Sequence, residues 1–380
     1  MKINIITLIP IKNLPPAISL ISCLHDLGYE VVVTLPYLDD EYRDYLDNAN
    51  IKYNQFTTKE NWLKLTTKKI KLNKILIFDF NNFIFSKLTK IDKKKDLVWV
   101  LHEDTTARLS KKIYDYNYIV TVYELRRNIK IMKYFPSNYI NILKRANLIV
   151  TPEYNRSHIL KAWYQLSKTP KVLPNKPYYL SNKLKSNEVE NRMTILNQKI
   201  KDRHIILYQG VFGKDRYIEP FIEATLKIHN SVIVLMGQRN DYLDMLLKKY
   251  GDSIIYIQSL APPQHLEITK RAYIGIVSYQ NNNSIYDPLN VVYCAPNKIY
   301  EYSKYSIPMI CSGQPGLHYT VELNHAGICV DSLEPEIIKK SIQAIIKNYD
   351  EYKEGAKKLY NAIKVDEIIQ KIVNEACKKE

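Results

Sequence analysis

Glycine is nearly missing from the first half of this 380-residue chain: of its 10 glycines only Gly28 precedes residue 200. Backbone that approaches phosphate closely, or turns tightly after a strand, needs glycine, so a phosphate-binding loop is expected after residue 200 rather than before it. Long apolar runs are missing too. No stretch approaches the roughly 18 residues that span a bilayer, and "MKINIITLIPIKN" at the N-terminus is broken by Asn4 and lacks a small-residue cleavage site, so it reads as a first strand and not as a leader. Paired cysteines are missing as well. Cys23, Cys294, Cys311, Cys329 and Cys377 are scattered with no Cys-x-x-Cys, which points to reduced thiols in a cytoplasmic protein. There is no Gly-x-Gly-x-x-Gly fingerprint, no Walker loop and no zinc-ligand cluster along the sequence. With 46% hydrophobic and 25% charged residues, disordered and fibrous classes are excluded.

What is present is unevenly distributed. Residues 1–200 hold 33 Lys+Arg against 18 Asp+Glu, whereas residues 201–380 hold 22 against 21, so nearly all of the formal +16 lies in the first half. The second half alternates short apolar runs with amphipathic segments: "HIILYQG", "SVIVLMG", "SIIYIQS", "AYIGIVSY", "IPMICSG" and "GICVD" read as buried strands, and "RYIEPFIEATLKIHN", "DYLDMLLKKYG" and "PPQHLEITKRA" as helices. The first half repeats the rhythm with "KINIITLIP", "YEVVVTLP", "KILIFDF" and "DLVWVLHE" as strands and "AISLISCLHDLG" as a helix, and "ANLIVTPEYNRSHILKAW" reads as strand then helix. This alternation predicts an α/β protein of two Rossmann-like, doubly wound domains facing across a cleft. The expected boundaries are an N-terminal domain over 1–185, a polar, lysine-rich linker over 186–203, a second domain over 204–365, and a C-terminal helix over 366–380 returning to the first domain.

The stretch "CAPNKIYEYSKYSIP" places Pro296 at a helix start, with Asn297 and Lys298 in the first turn, where free N–H groups and the positive dipole end attract an anion. Glu301 follows them by four and three residues, so all three share a face. A carboxylate there could take two hydrogen bonds from a ribose diol; the plain alternative is a surface Lys298–Glu301 pair of small value.

The run "APNKIYEYSKYSIPMICSGQPGLHYTVELNHAGICVD" resembles the donor-nucleotide segment of GT-B glycosyltransferases of the group 1, or family 4, type, with its Pro-Asn-Lys-x-x-Glu-Tyr pattern. "LYQGVFGKDRYIEPFIEA", "VIVLMGQRNDYLDML", "LAPPQHLEITKRAYIGIVSY", "ANLIVTPEYNRSHIL" and "VLPNKP" resemble further landmarks of that family. The resemblance implies that Glu301 holds the ribose hydroxyls, that Asn297 and Lys298 line the same pocket, and that the Gly210–Gly213 turn with Lys214 or Arg216 binds the diphosphate. Backbone amides beside two cations suit that task chemically. Tyr279 and Asn290, on the loop "SYQNNNSIYDPLNVVYCAP", are candidates for sugar or phosphate contacts. The family has a glutamate eight residues before the second one; here that position is Tyr293. It also has a glycine-rich turn after its first strand, where this chain has "IPIKNLPPAIS" with three prolines and no glycine.

"VWVLHEDTTARLSK" sets His102, Glu103 and Asp104 at a strand end, as candidates to orient or deprotonate an acceptor hydroxyl; the alternative is that Glu103 and Asp104 cap the next helix. No strict Asp-x-Asp is present, which favours a metal-independent hexosyltransferase with no cofactor, its departing diphosphate stabilised by lysines and a helix dipole. The expected activity is transfer of a sugar, with retention, from a nucleotide-diphosphate donor, UDP-sugar first and GDP-sugar second, to a glycan or lipid-linked acceptor in surface-polysaccharide or capsule assembly. The alternatives are a GT-B epimerase and a catalytically idle partner subunit. Residues 51–150 hold 21 Lys+Arg against 8 Asp+Glu. Together with "YELRRNIKIMKYF" they suggest an anionic membrane surface as a peripheral partner rather than nucleic acid.

Overall fold

The computed structural model describes residues 1–66, 70–89, 91–93, 95–126, 136–180, 187–280 and 288–378. The basic segment 123–135 lies largely outside the described residues, as does 281–287 of the tyrosine- and asparagine-rich loop. The chain divides into two compact units, Met1–Asn182 with Lys364–Glu380, and Lys183–Ile363.

The first unit is built on seven strands: β1 (Lys2–Ile6), β2 (Glu30–Leu35), β3 (Lys52–Gln55), β4 (Leu97–Leu101), β5 (Tyr118–Thr121), β6 (Leu148–Thr151) and β7 (Lys171–Val172). All pair in parallel in the order β3-β2-β1-β4-β5-β6-β7. β4 is buried along its whole length, as a central parallel strand covered on both faces must be. Trp99 at its middle is fully enclosed, and its indole N–H donates to Thr121 Oγ1 at 2.8 Å. The three-proline stretch forms a short 3₁₀ turn, Ile11–Asn13, and then the helix Pro15–Asp26, whose prolines occupy the first turn, where no N–H is needed. The C-terminal helix Val365–Cys377 packs on that same helix, burying Ile369, Ile372 and Val373, and Asn147 Nδ2 donates to Ala376 O at 2.9 Å.

Two expectations are corrected. "KILIFDF" is no strand; it lies in the helix Ile70–Leu88, where Leu76, Phe80, Ile84 and Leu88 are buried at four-residue spacing while Phe78 and Asp79 face solvent. The run of seven was too short to separate a strand from a buried helical stripe. The stretch 186–203 is no linker. It forms the helix Asn187–Ile200, whose Leu196 and Ile200 enter the core of the second unit.

The second unit has six parallel strands, β8 (His204–Gln209), β9 (Ser231–Gly237), β10 (Ile254–Gln258), β11 (Ile274–Val277), β12 (Met309–Ser312) and β13 (Gly327–Val330), in the order β10-β9-β8-β11-β12-β13. Alternate residues feed two separate cores, Ile205 and Leu207 on one face of the sheet, Ile206 and Tyr208 on the other. Gly275 on β11 lies under the Tyr302 ring, where a Cβ would sit 2.4 Å from the nearest ring carbon. That close approach lets the Tyr302 hydroxyl reach Leu207 O at 2.9 Å and seats the helix Asn297–Lys304 on the sheet. Among the described residues no helix is long and apolar enough to cross a membrane.

Candidate functional site

In open parallel sheets, ligands sit beyond the carboxyl ends of the strands where the strand order reverses. In the second unit that point lies between β8 and β11. β8 ends at Gln209, and Gly210 follows with φ +127°, a conformation side chains rarely adopt. A Cβ at Gly210 would lie 3.2 Å from Lys298 Nζ, so the glycine also makes room for the lysine. The turn is held from the far side by Asn240, whose Nδ2 donates to Phe212 O at 2.9 Å while its Oδ1 accepts from Leu243 N at 3.1 Å. Gly213 and exposed Lys214 lead into a single 3₁₀ turn, Lys214–Arg216.

Pro296 is the N-cap of the helix Asn297–Lys304, so Asn297 and Lys298 are its first two residues. The face of this helix is turned inward. Lys298 and Glu301 are 8% and 7% exposed, which removes the reading of a solvated surface pair. Glu301 Oε2 accepts from Gln209 Nε2 at 2.5 Å, and Oε1 lies 3.2 Å from His265 Nε2. Gln209 is itself oriented by Thr269, whose hydroxyl donates to Gln209 Oε1 at 2.7 Å. Burial alone would raise the Glu301 pKa; the charge and hydrogen bond of His265, the Gln209 amide and Lys298 outweigh it, and the pKa falls below the usual glutamate value.

Lys298 Nζ sits over the Tyr208 ring, 4.3 Å from its centroid. Burial, with the nearby positive charge of Arg216, lowers its pKa to about 7 despite Glu301. Arg216 stacks at 4.0 Å on Tyr279 and pairs with Asp215 at 2.7 Å. Tyr279 follows β11, and its backbone is fixed by Ser312: Tyr279 N–H donates to Ser312 Oγ at 2.9 Å, and that hydroxyl donates to Tyr279 O at 3.0 Å. Asn290 is buried in the single helical turn Leu289–Val292, not on an extended loop. Gly210, Arg216, Tyr279, Lys298 and Glu301 are thus gathered around one strand end. His265, Gln209, Thr269 and Tyr208 were missed by sequence reasoning. Gln209 and Tyr208 carried a signal, a polar residue closing an apolar strand next to Gly210, but His265 meets Glu301 only through the fold.

In the first unit the order reverses between β1 and β4, and His102 follows β4 directly. Leu8 N–H, just after β1, donates to Thr105 Oγ1 at 2.9 Å across this point. His102 adopts φ +77° and is itself the N-cap of the helix Glu103–Arg108, its Nδ1 accepting from Asp104 N at 3.1 Å. Glu103 and Asp104 therefore do not cap that helix. Glu103 is 2% exposed; Oε1 lies 3.1 Å from Arg126 Nε and Oε2 accepts from Tyr123 N at 3.2 Å. Asp104 pairs with Arg126 at 2.8 Å and Arg108 at 3.3 Å. His102, Glu103 and Asp104 are together, but both carboxylates are engaged by arginines, an arrangement that suits holding the loop better than accepting a proton.

No family model and no curated protein matches the sequence. Solved structures do match across the chain. A glycosyltransferase from Rickettsia africae is 13% identical with a TM-score of 0.68, covering 100% of this chain and 99% of that one. Anabaena HepE, solved in complex with UDP and glucose, is 12% identical with a TM-score of 0.65, covering 98% of each chain. WaaG, a glycosyltransferase involved in lipopolysaccharide biosynthesis, is 12% identical with a TM-score of 0.61 and 98% coverage of each. At these identities the likeness establishes the fold: two parallel α/β units of the GT-B type.

Proposed function

We propose that this chain is a GT-B glycosyltransferase that takes a nucleoside-diphosphate sugar, UDP-sugar first, and transfers the sugar to a glycan or lipid-linked glycan. The observation that carries this reading is the burial of both Glu301 and Lys298 beside the positive-φ Gly210 at the strand-order reversal. A carboxylate fixed by His265 and Gln209 keeps one geometry and can bind a ribose diol without reorganising. Lys298, Arg216 and Lys214, with the N–H groups of the Gly210–Gly213 turn, then face the diphosphate. Because Lys298 has a pKa of about 7, docking of the donor's dianionic diphosphate draws a proton onto it, and that positive charge is in place where a further negative charge develops as the anomeric C–O bond breaks. The complexes of HepE with UDP and glucose support the choice of UDP, and WaaG supports an envelope-glycan setting.

Retention at the anomeric carbon, a metal-independent reaction and a role for His102 beside the sugar belong to the same proposal. So does a peripheral position on an anionic bilayer through the basic first half, which vesicle co-sedimentation that weakens with salt would support. A second reading, a catalytically idle subunit that supports a partner transferase, is favoured by Tyr293 at the position where the resembling family has glutamate and by the arginine-bound state of Glu103 and Asp104. The deciding experiment is calorimetry of UDP, GDP, CMP and ADP against wild type and Glu301→Ala, with the melting temperature of the variant measured alongside. One nucleotide bound by wild type and lost by a folded variant supports the site; no binding by wild type rejects it. Donor consumption with and without added acceptors then separates transferase from epimerase and from a silent subunit.

A further inference from the structure

The most unusual constellation outside the donor site lies at the edge of the second unit. After β12 the chain forms the turn Pro315–Leu317 and runs into a π-helical turn, His318–Glu322, in which Leu323 N–H reaches back five residues to His318 O at 3.0 Å. Such wide turns are rare and gather at functional sites. This one turns His318 and Glu322 toward Cys329 on edge strand β13, so that an imidazole nitrogen, a carboxylate oxygen and a thiol all lie within 4.8 Å of one another.

We propose that His318, Glu322 and Cys329 form a zinc site. Nitrogen, oxygen and thiolate sulfur is a donor set typical of zinc, and ligand atoms on tetrahedral zinc sit roughly 3.3–3.8 Å apart given bonds of about 2.0–2.3 Å. Neighbouring groups support the ligands from outside. His318 Nδ1 faces Glu322 at 2.5 Å, and the opposite nitrogen, Nε2, lies 3.3 Å from Asp331 Oδ1. With Nδ1 toward the metal, Asp331 becomes the carboxylate that fixes the ring and its tautomer. Glu322 Oε1 accepts from Cys329 N at 3.3 Å, which orients the carboxylate from β13. Zinc enters by opening the His318–Glu322 contact by about 1 Å, within reach of a side-chain torsion, and by displacing the thiol proton, leaving a fourth position for water. The bound ion would tie the π-turn to β13 and so brace the segment that begins at Gln314, whose Nε2 donates to Tyr279 O at 3.2 Å.

The test uses the tag-free full chain, stripped with a chelator under a non-thiol reductant and titrated with Co²⁺ and then Zn²⁺. A thiolate-to-cobalt charge-transfer band at one equivalent, displaced by zinc, is expected, together with a rise in melting temperature on adding zinc. Cys329→Ser removes the band. Glu322→Gln, at a partly exposed position where folding is safe, weakens zinc at least tenfold, and Asp331→Asn, which keeps all three ligands, weakens it about 10–100-fold. No band with wild type, a band that survives in Cys329→Ser, or zinc affinity unchanged in Glu322→Gln would each reduce the cluster to a His318–Glu322 ion pair and overturn the proposal.

Discussion

Both units place charged residues at the strand-order reversal of a parallel sheet, yet they spend the charge differently. In the first unit Glu103 and Asp104 are neutralised by Arg126 and Arg108 of the same unit. In the second, Lys298 rests on the Tyr208 ring, and Arg216 lies on the Tyr279 ring with one carboxylate, Asp215, at its side. A cation closed by two carboxylates, as Arg126 is, serves the fold; an amine propped on a ring, as Lys298 is, keeps its donors for an anion. Glycine follows the same division. The second unit has Gly210 where backbone must open beside Lys298, and the first has proline and a helix start after β1.

The largest effect expected is on the first unit. Removing residues 366–380 exposes the partners of Ile369, Ile372 and Val373, about 1.5–3 kcal/mol for each, and should lower its melting transition steeply; an unchanged transition after truncation would show that the helix is dispensable. Next is Glu103→Ala, which leaves Arg126 short of a buried partner and should cost about 3 kcal/mol in urea unfolding with nucleotide affinity unchanged. A stable variant that binds donor but does not turn it over would instead make Glu103 a reacting group.

Lys298→Met should behave in the opposite way, losing about 100-fold in nucleoside-diphosphate affinity, close to 2.7 kcal/mol, while raising the melting temperature, because it removes a buried amine. The pH dependence sharpens this. With a folded pKa of about 7, the unfolded chain binds a proton that the folded one does not, so wild-type stability rises from about pH 7 to the ordinary lysine range near 10.4. That slope should flatten in Lys298→Met, and equal slopes would remove the buried-lysine argument. The smallest effect is expected from His265→Ala, about tenfold in nucleotide affinity, since Gln209 still holds Glu301. Gln209→Ala together with His265→Ala should exceed the sum of the single changes.

The periodicity of the chain and the positions of its glycines determined much on their own. The middles of runs such as "HIILYQG" and "SVIVLMG", residues 205–208 and 232–236, are continuously apolar because both faces of a parallel sheet are covered, which makes them readable without a structure. Gly210 and the spacing of Asn297, Lys298 and Glu301 marked the site because those properties are local. Only the tertiary structure decided the rest. It made "KILIFDF" a helix, since one buried stripe over Leu76 to Leu88 is visible only when the neighbours that cover it are known. It committed Glu103 to Arg126, 23 residues away, and brought His265 to Glu301, 36 residues away, and Cys329 to His318. Contacts of that kind depend on how strands and turns stack, and burial then sets their charge, so neither spacing nor composition carries them.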